Sequence, residues 1–259
     1  MNPPVALTIA GTDSGGAAGT AADLATFAAL GVHGACVITA VTAQDTTGVS
    51  DIHAIPVATV EAQLRAVFDD LPVAAVKTGM LGSAEAVALV ARLCAGRPLV
   101  VDPVLVATSG AVLGGEDVRR AYLDHLLPVA TVVTPNLDEA QALAGHDGSP
   151  EEIAAELASA KSAVIVTGGD PEATGTCTDW LAEPGRPPIP LTHPAVPTKN
   201  DHGTGCTYSS ALAAHLAHGA PLREAAEQAA AYVTRQLTRS QHWTLGRGRG
   251  PIAHTKEIA

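Results

Sequence analysis

A recurring unit limits what this chain can fold into: a short apolar run, a loop of glycine, proline or hydroxyl residues, then a stretch of helical periodicity. The apolar runs lie at 5–10, 34–40, 74–76, 99–101, 131–133 and 163–166 and read as buried strands. Helices are expected over 21–30, 58–70, 84–95, 116–126, 150–159, 206–217 and 222–237. Gly31 closes the first of these, and Ser83 and Ser149 cap two others. Strands and helices that alternate from end to end imply an α/β fold with a mainly parallel central sheet. No repeat or linker divides it, so residues 1–259 are expected to form a single domain. Residues 51–55 read as a small edge strand, 178–181 and 189–192 as an antiparallel hairpin, and 246–258 as irregular.

In such sheets ligands lie beyond the carboxyl ends of the strands. That face would collect residues 11–23, 42–48, 77–82, 102–110, 134–139, 167–170 and 200–209. The stretch with the most chemistry is Asn200 to Ser210, where Gly203-Thr204-Gly205 runs into an alanine-rich helix beginning at Cys206. Glycines let backbone N–H groups approach an anion, and the helix behind them adds its positive dipole end. A plain helix start with Thr204 as its cap explains the same letters. No lysine follows Gly205, so this is not a Walker loop, and no G-x-G-x-x-G occurs.

Other candidates have ordinary readings beside the functional ones. Gln44, in a loop over 41–48, offers an acceptor and donors together and suits an aminopyrimidine edge. A solvated glutamine is the commoner case. Met80 is polarizable and suits a flat ring, or simply fills core. Asp102 ends a strand and faces the crevice, or forms a turn. Asn136 and Glu139 have the spacing of a capping box, which alone accounts for Glu139.

Composition removes several classes. The net charge is −11 and no Lys/Arg cluster provides a nucleic-acid surface. No apolar run approaches the roughly 20 residues of a membrane helix. The start of the chain does not read as a signal peptide. Four scattered cysteines with no C-x-x-C suit a reducing cytoplasm and argue against structural zinc. Aromatic residues are only 3%, so Ala, Val and Leu must fill the core.

T-I-A-G-T-D-S-G-G-A-A-G with A-D-L (8–19 and 22–24), T-A-Q-D-T (42–46), K-T-G-M-L (77–81), D-P-V (102–104), T-P-N-x-x-E-A (134–140) and H-G-T-G-C-T (202–207) follow in one order. Together they resemble the hydroxymethylpyrimidine/phosphomethylpyrimidine kinases of thiamin biosynthesis, in the ribokinase-like superfamily. The resemblance spans nearly the whole chain, and G-T-G-C is its sharpest piece. It implies a three-layer α/β/α ribokinase-like fold, ATP and Mg²⁺, two successive phosphorylations of a small pyrimidine, and a homodimer. By position, Gln44, Gly11, Asp23 and Met80 would form the pyrimidine pocket. Asp102 and Glu139 would hold the metal, and Asn136, Thr167 and Gly169 the nucleotide. Gly203, Thr204, Gly205 and Cys206 would form the anion hole, with Cys206 either the base or a wall of the hole. A helix N-terminus is expected to lower a thiol pKa, which would allow Cys206 to serve as the base.

The chain departs from the family pattern in places. Ser14 and Thr20-Ala21 replace a usual Pro and Ile-Gln, and Asp45 replaces a usual Asn. Thr108 and Thr167 stand where lysines are common, although related pyridoxal kinases can carry Thr at the second position. Arg247 and Arg249, in a tail that replaces a usual H-G-P, are candidates for added positive charge near the site. Two alternatives follow: a pyridoxal or pyridoxine kinase of the same fold, or a non-catalytic pyrimidine-binding regulatory paralogue. Turnover on each acceptor separates all three.

Overall fold

The computed structural model describes residues 2–105, 115–158, 162–168 and 175–255. Thr108 and Gly169 lie outside the described residues. The strands are β1 (Val5–Ala10), β2 (His33–Ile38), β3 (Ala40–Asp45), β4 (Gly48–Ala54), β5 (Val73–Thr78), β6 (Leu99–Val101), β7 (Val132–Val133), β8 (Ala163–Val166), β9 (Thr176–Ala182) and β10 (Ile189–Pro194). The helices are α1 (Gly19–Ala29), α2 (Val57–Asp70), α3 (Ala84–Cys94), α4 (Glu116–Ala121), α5 (Leu137–Ala144), α6 (Pro150–Leu157), α7 (Thr204–Ala217) and α8 (Leu222–Ser240).

Eight strands form one sheet in the order β10-β9-β8-β7-β6-β5-β1-β2. Strands β2, β1, β5, β6, β7 and β8 pair in parallel, and β9 and β10 extend the sheet antiparallel. Side chains alternate across it. Val5, Leu7, Ile9, Leu99, Val101, Val164 and Val166 join the core beneath α2 to α6. Ala6, Val100, Val132, Ala163 and Ile165 join the core beneath α1, α7 and α8. Period-two alternation thus places helices on both faces and gives the three layers. Helices α7 and α8 meet through Ala211, Ala214, Ala225, Ala226 and Ala229, all fully buried. Small side chains let these helices lie close, and so a chain with few aromatics still closes its core.

Three expectations change. The segment expected to be a loop over 41–48 is largely strand β3, which pairs antiparallel with β4 in a separate two-stranded ribbon. The run read as one strand over 34–40 breaks at Thr39. The Thr39 N–H donates to Ala10 O (3.0 Å) and its hydroxyl to Met80 O (2.6 Å), which turns the chain out of the main sheet. The helix expected over 116–126 is α-helical only to Ala121, then widens into a π turn (Tyr122–Leu126) and a 3₁₀ turn (Leu127–Val129). Pro128 lacks an N–H, and its ring would strike the carbonyl four residues back, so α geometry cannot run through it. No helix among the described residues is long and apolar enough to cross a membrane.

Candidate active site

The carboxyl ends of β1, β5, β6, β7 and β8 open towards the N-termini of α7 and α5. Gly203 caps α7 with φ +90°, and a Cβ there would stand 1.8 Å from Ala17 O, so only glycine fits. Its neighbour is the loop after β1. No side chain caps α7. Thr204 is inside the helix, and its hydroxyl donates to Asp201 O (2.6 Å), which corrects the reading of Thr204 as the cap. The N–H groups of Gly205 and Cys206 take no partner among the described residues. Two free donors at a positive dipole end make an anion seat.

Asp13 arranges the facing loop. Its carboxylate accepts N–H groups from Gly15 (2.8 Å), Ala17 (3.0 Å) and Ala18 (2.9 Å), and meets His202 Nε2 at 3.2 Å. Burial works to raise the pKa of Asp13, but the His202 and backbone hydrogen bonds outweigh it and hold the carboxyl below its usual range. The Gln44 carboxamide lies 3.3 Å from the same His202 Nε2 and 3.4 Å from the Thr42 hydroxyl. Gly11 lies against the end of Met80, whose Cε would be 2.6 Å from a Cβ at that glycine. Gly11 and Met80 thus touch, and Gln44 reaches the loop facing the α7 N-terminus through His202 and Asp13.

Asp23 does not share that surface. It is fully buried, with Lys77 Nζ at 2.9 and 3.0 Å and the hydroxyls of Thr8 and Ser210 each at 2.5 Å. Its carboxylate is saturated by these partners, so a direct contact between Asp23 and a ligand is corrected to a supporting role. Lys77 is also fully buried and reaches Asp102 at 3.8 Å. Burial pulls the Lys77 pKa down, but the charges of Asp23, Cys206 and Asp102 more than offset it, so the ammonium persists.

Cys206 sits half-buried in this charged cluster. Burial pushes its thiol up to about 12; Lys77 and the Gly19 N–H oppose this, and Asp102 and Asp23 reinforce it. The expected lowering by the helix end does not occur, because desolvation and two carboxylates exceed it.

Asp102 accepts from the Ser209 hydroxyl (3.0 Å), and burial raises its pKa against the pull of Lys77. Glu139 and Asn136 do form the capping box: Asn136 Oδ1 accepts from Glu139 N (2.9 Å), and Glu139 Oε2 accepts from Asn136 N (3.1 Å). Burial and then the charge of Asp102 push Glu139 up to about 8. Two buried carboxyls, each raised by burial and one of them also by the other's charge, form a donor set suited to a divalent cation that keeps most of its ligands as water and phosphate oxygens. Thr167 pairs by its N–H with Pro135 O (2.9 Å) and bridges to Asn136, so the ends of β7 and β8 meet. Gly168 N donates to the buried Asp179 (3.0 Å), which also faces His193 at 3.3 Å.

Arg247 and Arg249 do not supply free positive charge. Arg247 pairs with Asp45 (2.7 Å), and Arg249 Nε with Asp201 (2.7 Å). Sequence reading passed over Lys77, Asp13, His202 and Asp179 as site-building residues. Lys77 had a signal: a charge inside an otherwise apolar strand is seldom buried unless paired.

The glycine-lined helix end, the facing loop and the paired carboxyls define a phosphotransferase of ribokinase-like fold. Comparison with known proteins narrows this further. A pyridoxal kinase from Bacillus subtilis solved with ADP superposes with a TM-score of 0.87 at 33% identity, over 97% of each chain. The hydroxymethylpyrimidine/phosphomethylpyrimidine kinase of Rhizobium meliloti is 46% identical over 96% of both chains. The thiamine biosynthesis bifunctional protein ThiED of Geobacter sulfurreducens is 47% identical over 96% of this chain and 51% of its own length. The family profile described as phosphomethylpyrimidine kinase matches residues 13–253, and the chain belongs to that family.

Proposed function

We propose that the protein is a single-domain cytoplasmic kinase that transfers the γ-phosphoryl group of ATP to 4-amino-5-hydroxymethyl-2-methylpyrimidine, and a second to the monophosphate, in thiamin biosynthesis. The observation that carries this is the uncapped α7 N-terminus, with the N–H groups of Gly205 and Cys206 free, beside the Gln44 carboxamide. One seat suits a transferring phosphoryl group, the other a flat aminopyrimidine.

Phosphoryl transfer needs positioning and charge stabilisation more than covalent help. Gln44 would orient the ring, with Gly11 leaving room and Met80 lying on its face. The α7 N–H groups would receive charge that develops on the phosphoryl oxygens. Asp102 and Glu139 are the residues that would hold Mg²⁺, which when bound neutralises phosphate charge. Asn136 and Thr167, with Gly169, would bound the nucleotide. Cys206, held as a thiol, would be a wall of the anion hole rather than the base. The proton of the attacking substrate hydroxyl would then pass to the phosphoryl oxygens late in a loose transition state. Lys77 and Asp23 would hold the floor of the site.

The test is ADP release from Mg-ATP with four acceptors: the hydroxymethylpyrimidine, its monophosphate, pyridoxal and pyridoxine. Turnover on the first two is expected. Turnover on pyridoxal or pyridoxine alone would overturn the substrate, and silence on all four the kinase reading. Light scattering during gel filtration is expected to give twice the chain mass, the homodimer of the proposal.

A further inference from the structure

From the hydrogen-bond pattern around Gln44 we infer that His202 is a positioning residue that fixes which end of the Gln44 carboxamide is the acceptor, and so sets preference for an amino over an oxo group on the pyrimidine. This rests on the reading that Gln44 pairs with the ring edge.

The two ends of a carboxamide are told apart only by their hydrogen bonds. Asp13 accepts three backbone N–H groups and is a carboxylate, with His202 Nε2 3.2 Å away. A bare Nε2 there would set a lone pair against a carboxylate oxygen, so Nε2 carries hydrogen. The structure sets the Gln44 nitrogen 3.3 Å from this N–H, where two N–H groups would oppose each other, so we turn the amide and assign its oxygen to that end. The other end, set as Oε1, lies 3.4 Å from the Thr42 hydroxyl. That hydroxyl donates its own hydrogen to Thr12 O (2.8 Å), so towards Gln44 it can only accept. An NH₂ group there satisfies it. Both neighbours therefore demand one orientation, oxygen to His202 and nitrogen to Thr42.

The backbone of Gln44 is held in place. Its backbone N–H donates to the Ser14 hydroxyl (2.8 Å), and that hydroxyl donates back to Gln44 O (2.7 Å). The buried His202, 6% exposed, opposes a turn of the amide. A fixed carboxamide offers the ligand one oxygen lone pair and one N–H. That pair complements an amino group beside a ring nitrogen, and mismatches an oxo group beside a ring N–H. A mismatch leaves buried polar groups unpaired, which is the strong form of discrimination.

The probe pair is the 4-amino substrate and its 4-oxo analogue, 5-hydroxymethyl-2-methylpyrimidin-4(3H)-one. Wild-type kcat/KM is expected to favour the amino compound by at least about 100-fold. In His202→Met the carboxamide can turn, and the preference should fall to within about tenfold. His202→Asn keeps a donor and should restore much of it, with KM for ATP unchanged in both. A purely structural role would lower turnover on both compounds in parallel and leave the ratio intact, which would overturn the inference. Wild-type protein inactive on the amino compound would instead refute the functional reading beneath it. If His202→Met does not fold, ¹⁵N spectroscopy of the His202 ring in wild-type protein decides: hydrogen on Nε2 is expected, and a bare Nε2 overturns the proposal.

Discussion

Replacing Lys77 by methionine tests whether the buried charges under the site are interdependent. The two side chains are similar in length, so the packing changes little and the ammonium is what is lost. In wild type Lys77 Nζ meets both oxygens of Asp23, at 2.9 and 3.0 Å, with Asp102 at 3.8 Å. All three side chains are buried. Without the ammonium, among the described residues the Asp23 side chain keeps the hydroxyls of Thr8 and Ser210, and the Asp102 side chain that of Ser209. Removing one partner of a buried pair costs about 3–5 kcal/mol, mostly for the charge left behind. In a chain of this size that is a loss of roughly 10 °C in Tm. Asp23→Asn alone leaves Lys77 with Asp102 and should cost less. The double variant strands no charge at Asp23, so it should recover about 1–3 kcal/mol relative to additivity. Urea unfolding of the four proteins measures the cycle. A Lys77→Met cost below about 1 kcal/mol, or strict additivity, would refute the reasoning.

Gly203→Ala must place a Cβ into Ala17 O at positive φ, so the loop or the helix start has to shift. We expect a fall of about 10²–10³-fold in kcat by steady-state kinetics, as for loss of an oxyanion donor, and wild-type activity would contradict it. Cys206→Ala should retain kcat within about tenfold at pH 7.5, because a thiol pushed up to about 12 is not the base; a loss of 10²–10⁴-fold would restore that role. His193 is raised above its ordinary pKa, chiefly by its hydrogen bond to Asp179 against the pull of burial. Its folded pKa exceeds its unfolded one, so its stabilisation is full below the unfolded value near 6.5 and lost as pH rises through the folded value. The Tm of wild type should therefore fall over that window relative to His193→Gln, and parallel curves would count against the pair.

Much of the architecture was legible because it rests on local periodicity. Strands 5–10, 99–101 and 163–166 appear with the bounds read from the sequence, and the Ser83 and Ser149 caps are in place. The misses share one cause, interactions between segments distant in sequence. Strand β3 has no alternation to announce it, because its partner β4 supplies the ladder and its outer face is open, with Val41 47% exposed. Thr204 looks like a cap, yet the Gly203 turn aims its hydroxyl back at Asp201. The site divides in the same way. Gln44, Met80, Glu139 and the G-T-G-C turn could be nominated from residue type and from their place after the strands. The roles of Asp23 and Cys206 could not, because burial and the Lys77 charge decide them, and neither is written in the local sequence.

The departures from the family pattern become intelligible as contacts. Asp45, in place of a usual Asn, and Arg247, in an unusual tail, look unrelated at a separation of about 200 residues. In the fold they are an ion pair. The Thr46 hydroxyl beside them accepts N–H groups from both Arg247 (3.0 Å) and Gly248 (3.1 Å). An exposed pair of this kind contributes little by itself, since water and salt screen it. Its effect is to specify register, because a charge match selects one seating of the tail against the β3–β4 turn. The same tail continues through Pro251, which bridges to His202, and through His254, which meets the Thr207 hydroxyl in α7 at 2.9 Å. The residues that carry charge at the surface thus align a segment whose buried end touches the histidine beside Gln44 and the first turn of the anion-binding helix. Changes at Asp45 or Arg247 should therefore reach the site through the seating of this tail, and not through their own electrostatic field.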